Sequence, residues 1–314
     1  MMLARTADGL FWLARYMERA DYVARLLQVA GHMNAVRVDD NRSSEWESAI
    51  VASGCGESFD AADESADEAS VIRFLAFERA NPSSIVNCIE IARRNARAVR
   101  TSLTTEMWDA VNQTSLELAD FTQGPLDADR LAEFLDWVKA RVGLFHGVCS
   151  NGMLRRDSYH FIRTGQFLER ADNTARLLDV KYHVQLPEVT DVGGVVDYYQ
   201  WLAILRVVGA RRAYRVLFKG RVQPAHVAEL LISRTVFPRS LAFCFEQITQ
   251  HLDAIQAQDP ELAAAARRQA HVMHAQLRFA SIDRVIEEGL HEYLTDIIDR
   301  TSALGAEIAK GHLF

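Results

Sequence analysis

From residue 8 onward the apolar positions recur at the three-to-four-residue spacing of a helix, and no convincing run alternates as a strand would. The pattern predicts helices over 8–37, 44–53, 68–80, 82–103, 104–121, 127–147, 157–184, 194–218, 224–236, 238–256, 260–276 and 281–310. All six prolines (Pro82, Pro125, Pro187, Pro224, Pro238, Pro260) fall where a periodic segment begins or ends, as expected of a residue that lacks a backbone donor and breaks helix interiors. The expected fold class is all-α.

The pattern also repeats. "YMERADYVARLL" at 16–27 returns as "FLERADNTARLL" at 167–178, an offset of 151 that also matches Met2, Leu3 and Arg5 with Met153, Leu154 and Arg156, and His32 with His183. Further on, Trp46 and Gly54 match Trp201 and Gly209 at 155, and Val71, Leu75, Pro82, Ser84 and Cys88 match Val227, Leu231, Pro238, Ser240 and Cys244 at 156. An ordered series of this kind points to tandem duplication. We therefore expect two pseudo-equivalent halves, 1–150 and 151–314, packed as one helical bundle, because either half alone would leave an apolar face uncovered.

Within the first copy, a rotation of about 100° per residue gathers Trp12, Tyr16, Ala20, Val23, Ala24 and Leu27 on one face, expected to pack. Glu18, Asp21, Arg25 and His32 share the other side, and Glu169, Asp172, Arg176 and His183 repeat them. Phe11, Tyr22 and Val29 lie in the same arc, so partial burial of the charges is expected. Asp21 with Arg25, and Asp172 with Arg176, have the i,i+4 spacing of an ion pair, leaving Glu18 and Glu169 free to reach a neighbouring helix. Two readings stay open. The ladder is an ion-pair network fixing how the halves register, or it lines a polar pocket. In the pocket, Arg25 and Arg176 would hold a carboxylate or phosphate, and Glu18 or Glu169 would orient an amine or serve as the acid-base group.

Charge narrows the partners. A formal net charge of -7 argues against general affinity for nucleic acid or anionic membrane, which begins with concentrated basic charge. No stretch of about eighteen apolar residues is present to span a bilayer, and the N-terminal segment lacks signal-peptide character. Cys55, Cys88, Cys149 and Cys244 are widely separated, without CxxC spacing, so neither a zinc cluster nor a disulfide framework is indicated and a cytoplasmic setting is expected. No metal site is expected: Glu288 with His291 is a single Glu-x-x-His where a di-metal bundle needs two. Glycine-rich phosphate loops are missing, so no cofactor is expected. Where the copies diverge, 55–69 is acidic and reads as a solvated loop, whereas "ARRAYRVLFKGR" at 210–221 is basic with interleaved aromatics and could dock an acidic partner or anionic substrate.

"NPSS" carries a helix start signal. Asn81 can cap, Pro82 suits the first turn, and Ser83 and Ser84 can satisfy free amides. Behind it, Asn95 and Arg97 could add donors to a site.

The stretches "MLARTADGLFWLARYMERADYVARLL", "FLAFERANPSSIVNCIEIARRNARAVR", "EMWDAVN" and "MLRRDSYHFIRTGQFLERADNTARLLDVKYH" resemble the bacterial Alpha-E family, a helical group named for a glutamate and a Glu-Arg motif, and the resemblance covers nearly the whole chain. Carried over, the motif pairs are Glu18 with Arg19 and Glu169 with Arg170, and the "NPSSI" segment is Asn81 to Ile85. The chain departs from the family's Arg-Glu-Asn-Ala-Arg run, with Arg94 where a glutamate is usual. The resemblance implies neighbouring genes for ATP-grasp-like ligases and transglutaminase-like proteins, hence a part in making or modifying a peptide or amide. The function expected is a helical partner or substrate-binding component of such a system, with a peptide or amino-acid ligand. The alternatives are an enzyme using Glu18 or Glu169 as acid-base group, or a purely structural scaffold.

Overall fold

A computed structural model describes residues 2–35, 45–61, 65–123, 127–183, 195–255 and 260–312. Among these every regular element is helical, and no helix is long and apolar enough to cross a membrane. The order is α1 (Ala4–Asn34), α2 (Glu45–Ser53), α3 (Gly56–Asp60), α4 (Glu68–Ile72) with a π-helical turn (Arg73–Phe77), α5 (Ile85–Ala98), α6 (Thr105–Thr122), α7 (Ala128–Gly152), α8 (Asp157–His183), α9 (Val195–Val207), α10 (Arg211–Phe218), α11 (Pro224–Ile232), α12 (Leu241–Ala254), α13 (Pro260–Arg278), α14 (Ile282–Glu288) and α15 (Leu290–His312).

α1 and α8 form the centre. They lie side by side and point the same way, since contacts climb together from Met2 with Ser158, through Phe11 with Gly165, to Arg15 with Glu169 and Glu18 with Asn173. The close approach needs a glycine: a Cβ on Gly165 would stand 2.3 Å from the Phe11 carbonyl oxygen. α5 and α7 pack on α1 with α6 outside them, and α12 and α15 pack on α8 with α13 outside them. α2 packs on both central helices, and so does α9. Buried side chains from all these elements make one continuous core.

Local chemistry sets the boundaries. Ser84 and Ser240 cap α5 and α12 by accepting from the amides of Asn87 and Phe243, so both helices start about three residues later than their prolines suggested. The segment read as one helix over 194–218 is two, broken at Gly209, whose φ of +71° only glycine adopts cheaply. The segment 281–310 breaks likewise at Gly289. The acidic stretch expected to be loop contains α3, which folds because Phe59 is buried against Phe74.

The expected faces of α1 are also revised. Trp12 and Tyr16 are only half-buried, whereas Glu18 and Asp21 are 1% and 2% exposed. Helices surround α1 on every side, so its polar stripe is enclosed along with its apolar one.

Candidate functional site

Adjacent residues on a helix diverge by about 100° and do not face each other, so Glu18 cannot pair with Arg19, nor Glu169 with Arg170. The pairs cross between helices instead. Arg170 grips Glu18 with two nitrogens, at 2.7 and 2.8 Å, and Arg19 donates to Glu169 at 2.6 Å. Each Glu-Arg dipeptide is thus completed by the other.

Further groups close around each glutamate. His146 of α7 sits 2.9 Å from Glu18 Oε2, and since a carboxylate only accepts, the imidazole Nε2–H is the donor. Arg15 donates to the second oxygen of Glu169 at 2.6 Å. Arg15 and Arg19 also stack over Trp12 and Tyr16, which gives those half-buried aromatics their role. Burial by itself would raise both carboxyl groups, but the arginines and the hydrogen bond from His146 outweigh it. Arg170, His146 and Arg239 hold Glu18 well below the usual carboxylate range, and Arg19 with Arg15 brings Glu169 to about 2. Both are ionised and fully engaged at neutral pH, which weighs against either as an acid-base group.

The flanking aspartates differ from one another. Asp21 accepts from Arg25 at 2.7 Å and from Arg239 at 2.9 Å, and Arg239 leans on Glu18 as well, at 3.4 Å. Arg25 is further consumed by the Val207 carbonyl. Asp172 accepts from Arg176 Nε at 2.8 Å and, among the described residues, from nothing else. Burial therefore dominates at Asp172 and raises its pKa, despite Arg176.

Beside Asp172 a polar cavity of about 180 Å³ opens between Arg19, Tyr22, Cys55, Ser83, Asp172 and Arg176. A larger groove of about 980 Å³, lined by Ile72, Phe77, Val86, Phe121 and Leu131 among others, holds no member of the ion-pair network. The cavity is where carboxylates, guanidinium groups, hydroxyls and a thiol converge, and that makes it the candidate site. Cys55 is half-buried there, its Sγ 3.7 Å from Asn81 Oδ1. Cys88 and Cys244 lie in the core, where burial raises their thiols to about 12.

The remaining sequence candidates fall elsewhere. His32 contacts its own helix, 2.6 Å from the Gln28 carbonyl, and the side chain of His183 lies outside the described residues. Asn81 is no cap: fully buried, it donates to the Phe74 carbonyl and accepts from the Ser83 amide, locking the turn before α5. Ser84 is the cap, while Ser83 lines the cavity. Arg97 is exposed and Asn95 half-buried on α5, and neither lines the cavity. Arg15, His146 and Arg239 were not anticipated. Only Arg239 left a signal, as the arginine that follows Pro238 where a serine follows Pro82.

The model of a family described as "a predicted alpha-helical domain with a conserved ER motif" matches residues 2–313. Among curated proteins, an uncharacterized protein of Mycobacterium bovis and one of Mycobacterium tuberculosis are each 26% identical over 317 aligned residues, covering 94% of this chain and 35% of theirs. The chain thus spans about a third of the length of the curated relatives it matches. No solved structure matches it.

Proposed function

The chain belongs to the Alpha-E family, and from that premise we propose that it is the substrate-binding helical component of a peptide- or amide-forming system, working beside an ATP-grasp-like ligase and holding an amino acid or peptide end in the cavity at Asp172 and Arg176. The observation that carries this reading is the cavity itself: a half-buried carboxylate with one partner, next to a guanidinium whose outer nitrogens have no acceptor among the described residues. Groups left so are costly unless a ligand or water completes them.

Binding ranks above catalysis because Glu18 and Glu169 are locked in ion pairs and no base stands within hydrogen-bond reach of Cys55 among the described residues. The length of the relatives supports a component that acts together with other domains. An exposed basic face on α10, with Arg211, Arg212 and Arg215 around the exposed Val216 and Leu217, supports docking to an acidic surface of the ligase.

We read the chain as two tandem halves, 1–150 and 151–314, packed as one domain. In support, the crossed Glu-Arg pairs join residues 150 and 152 apart, close to the sequence offset of 151, α2 and α9 each pack on both central helices, and Gly54 and Gly209 share φ values of +72° and +71°. A cytoplasmic location, away from disulfide-forming conditions, accords with buried free thiols at Cys88, Cys149 and Cys244.

The test is retention of the host's ATP-grasp-like ligase on the immobilised chain. The wild type is expected to retain it, and the triple variant R211E/R212E/R215E to lose it with unchanged melting temperature. Equal recovery on a blank resin, or no loss in the triple variant, would remove the partnership and the α10 surface respectively.

A further inference from the structure

The offset of 156 that pairs Pro82 with Pro238 and Ser84 with Ser240 sets Ser83 opposite Arg239. Arg239 lays its guanidinium across Asp21 and Glu18, at 2.9 and 3.4 Å. At the corresponding place beside Asp172 and Glu169, Ser83 is too short to reach, and the cavity of about 180 Å³ occupies the space. Arg15, whose counterpart is Gln166, compensates in part, but it satisfies Glu169 and leaves Asp172 with a single donor.

A second substitution between the copies frees a cation in the same cavity. Arg25 donates to the Val207 carbonyl. The counterpart carbonyl, that of Ala52, is taken by the Tyr22 hydroxyl at 2.8 Å, and Asn173 stands where a second tyrosine would be. Arg176 therefore holds Asp172 through Nε alone. Its Nη1 lies beside Gly54, 3.0 Å from where a Cβ would be.

The cavity thus presents an acceptor short of a donor and, on the neighbouring turn, donors short of an acceptor. A ligand with one charge satisfies one end and leaves the other without a further protein or ligand partner. A ligand with both charges on one carbon satisfies both. We propose that this cavity seats a free α-amino acid, its ammonium on Asp172 where Arg239 sits on Asp21, and its carboxylate on the outer nitrogens of Arg176. The inference rests on the substrate-binding reading and names its substrate class. The raised pKa of Asp172 accords with a carboxylate that lacks this second cation.

The test uses the full chain in thermal-shift assays against each proteinogenic L-amino acid at millimolar concentration, followed by calorimetry on the strongest. At least one amino acid is expected to raise the melting temperature, with its N-acetyl and α-amide derivatives each bound at least roughly tenfold more weakly. Ser83→Arg, which fills the seat as Arg239 fills its twin, is expected to abolish binding. Asp172→Asn and Arg176→Gln supply the same readout should Ser83→Arg fail to fold. No shift from any amino acid overturns the proposal. So does an N-acetyl derivative that binds as tightly as its parent, though that result would keep the broader reading of a peptide carboxyl end on Arg176. Full affinity in a folded Ser83→Arg variant overturns the location. Ligase retention is measured separately, so the partnership stands or falls independently.

Discussion

Glu169 shows what one buried carboxylate contributes. Its pKa of about 2 in the folded chain lies below the ordinary 4.5, so on acidification the unfolded chain takes up the proton first. The stabilisation is complete above pH 4.5 and is lost as pH falls towards 2, worth about 3 kcal/mol for this group. Urea titrations across that range are expected to show the decline in the wild type and a flatter profile in Glu169→Gln. At neutral pH the same substitution strands Arg15 and Arg19, and an unfolding free energy lower by about 3–5 kcal/mol is expected. A loss under about 1 kcal/mol would mean the pair is worth no more than a surface one. The charged residues themselves were legible in the sequence, as were the pairs Asp21–Arg25 and Asp172–Arg176, because spacing along one helix decides them. The further partners that complete the network, Arg15, His146 and Arg239, come from tertiary packing, which periodicity does not encode.

The central helices meet at a glycine. Gly165→Ala gains about 1 kcal/mol of helix propensity but places a methyl 2.3 Å from the Phe11 carbonyl oxygen, and backbone yields less readily than a side-chain tip. A net loss of about 1–3 kcal/mol is expected, read as a lower melting temperature. Gly143→Ala and Gly147→Ala on α7 are the controls: open space surrounds both positions, so each is expected to stabilise by up to about 1 kcal/mol. Most helices were legible, since their apolar spacing is dictated by the same burial that forms them. The breaks at Gly209 and Gly289 and the π-helical turn after α4 were not, because the flanking periodicity continues across them. The burial of Glu18 and Asp21 was underestimated for a related reason: a helical wheel shows two faces, and α1 is covered on all of them.

Taken whole, the molecule is expected to resist division. Fragments 1–150 and 151–314 expressed apart would each expose one central helix and strip Glu18 or Glu169 of its crossing arginine. Each alone is expected to aggregate or lack a cooperative melt, and co-expression to restore both. Independent cooperative folding of either fragment, seen by circular dichroism, would contradict the packing of α1 on α8. The ordered series of matches between the two Glu-Arg segments was visible in the sequence, yet the direction in which α1 and α8 meet was not, because parallel and antiparallel pairings leave the same residues apolar.

The crossing of the Glu-Arg dipeptides also governs how such a chain can change over generations. An exchange at position 18 is felt first at 170, and one at 19 at 169, so neither dipeptide drifts on its own. Across relatives, positions 18 and 170 should covary, and 19 and 169 likewise, more tightly than the neighbours 18 and 19 do. Repair of a damaged motif would come from the other dipeptide, 150 to 152 residues away along the chain.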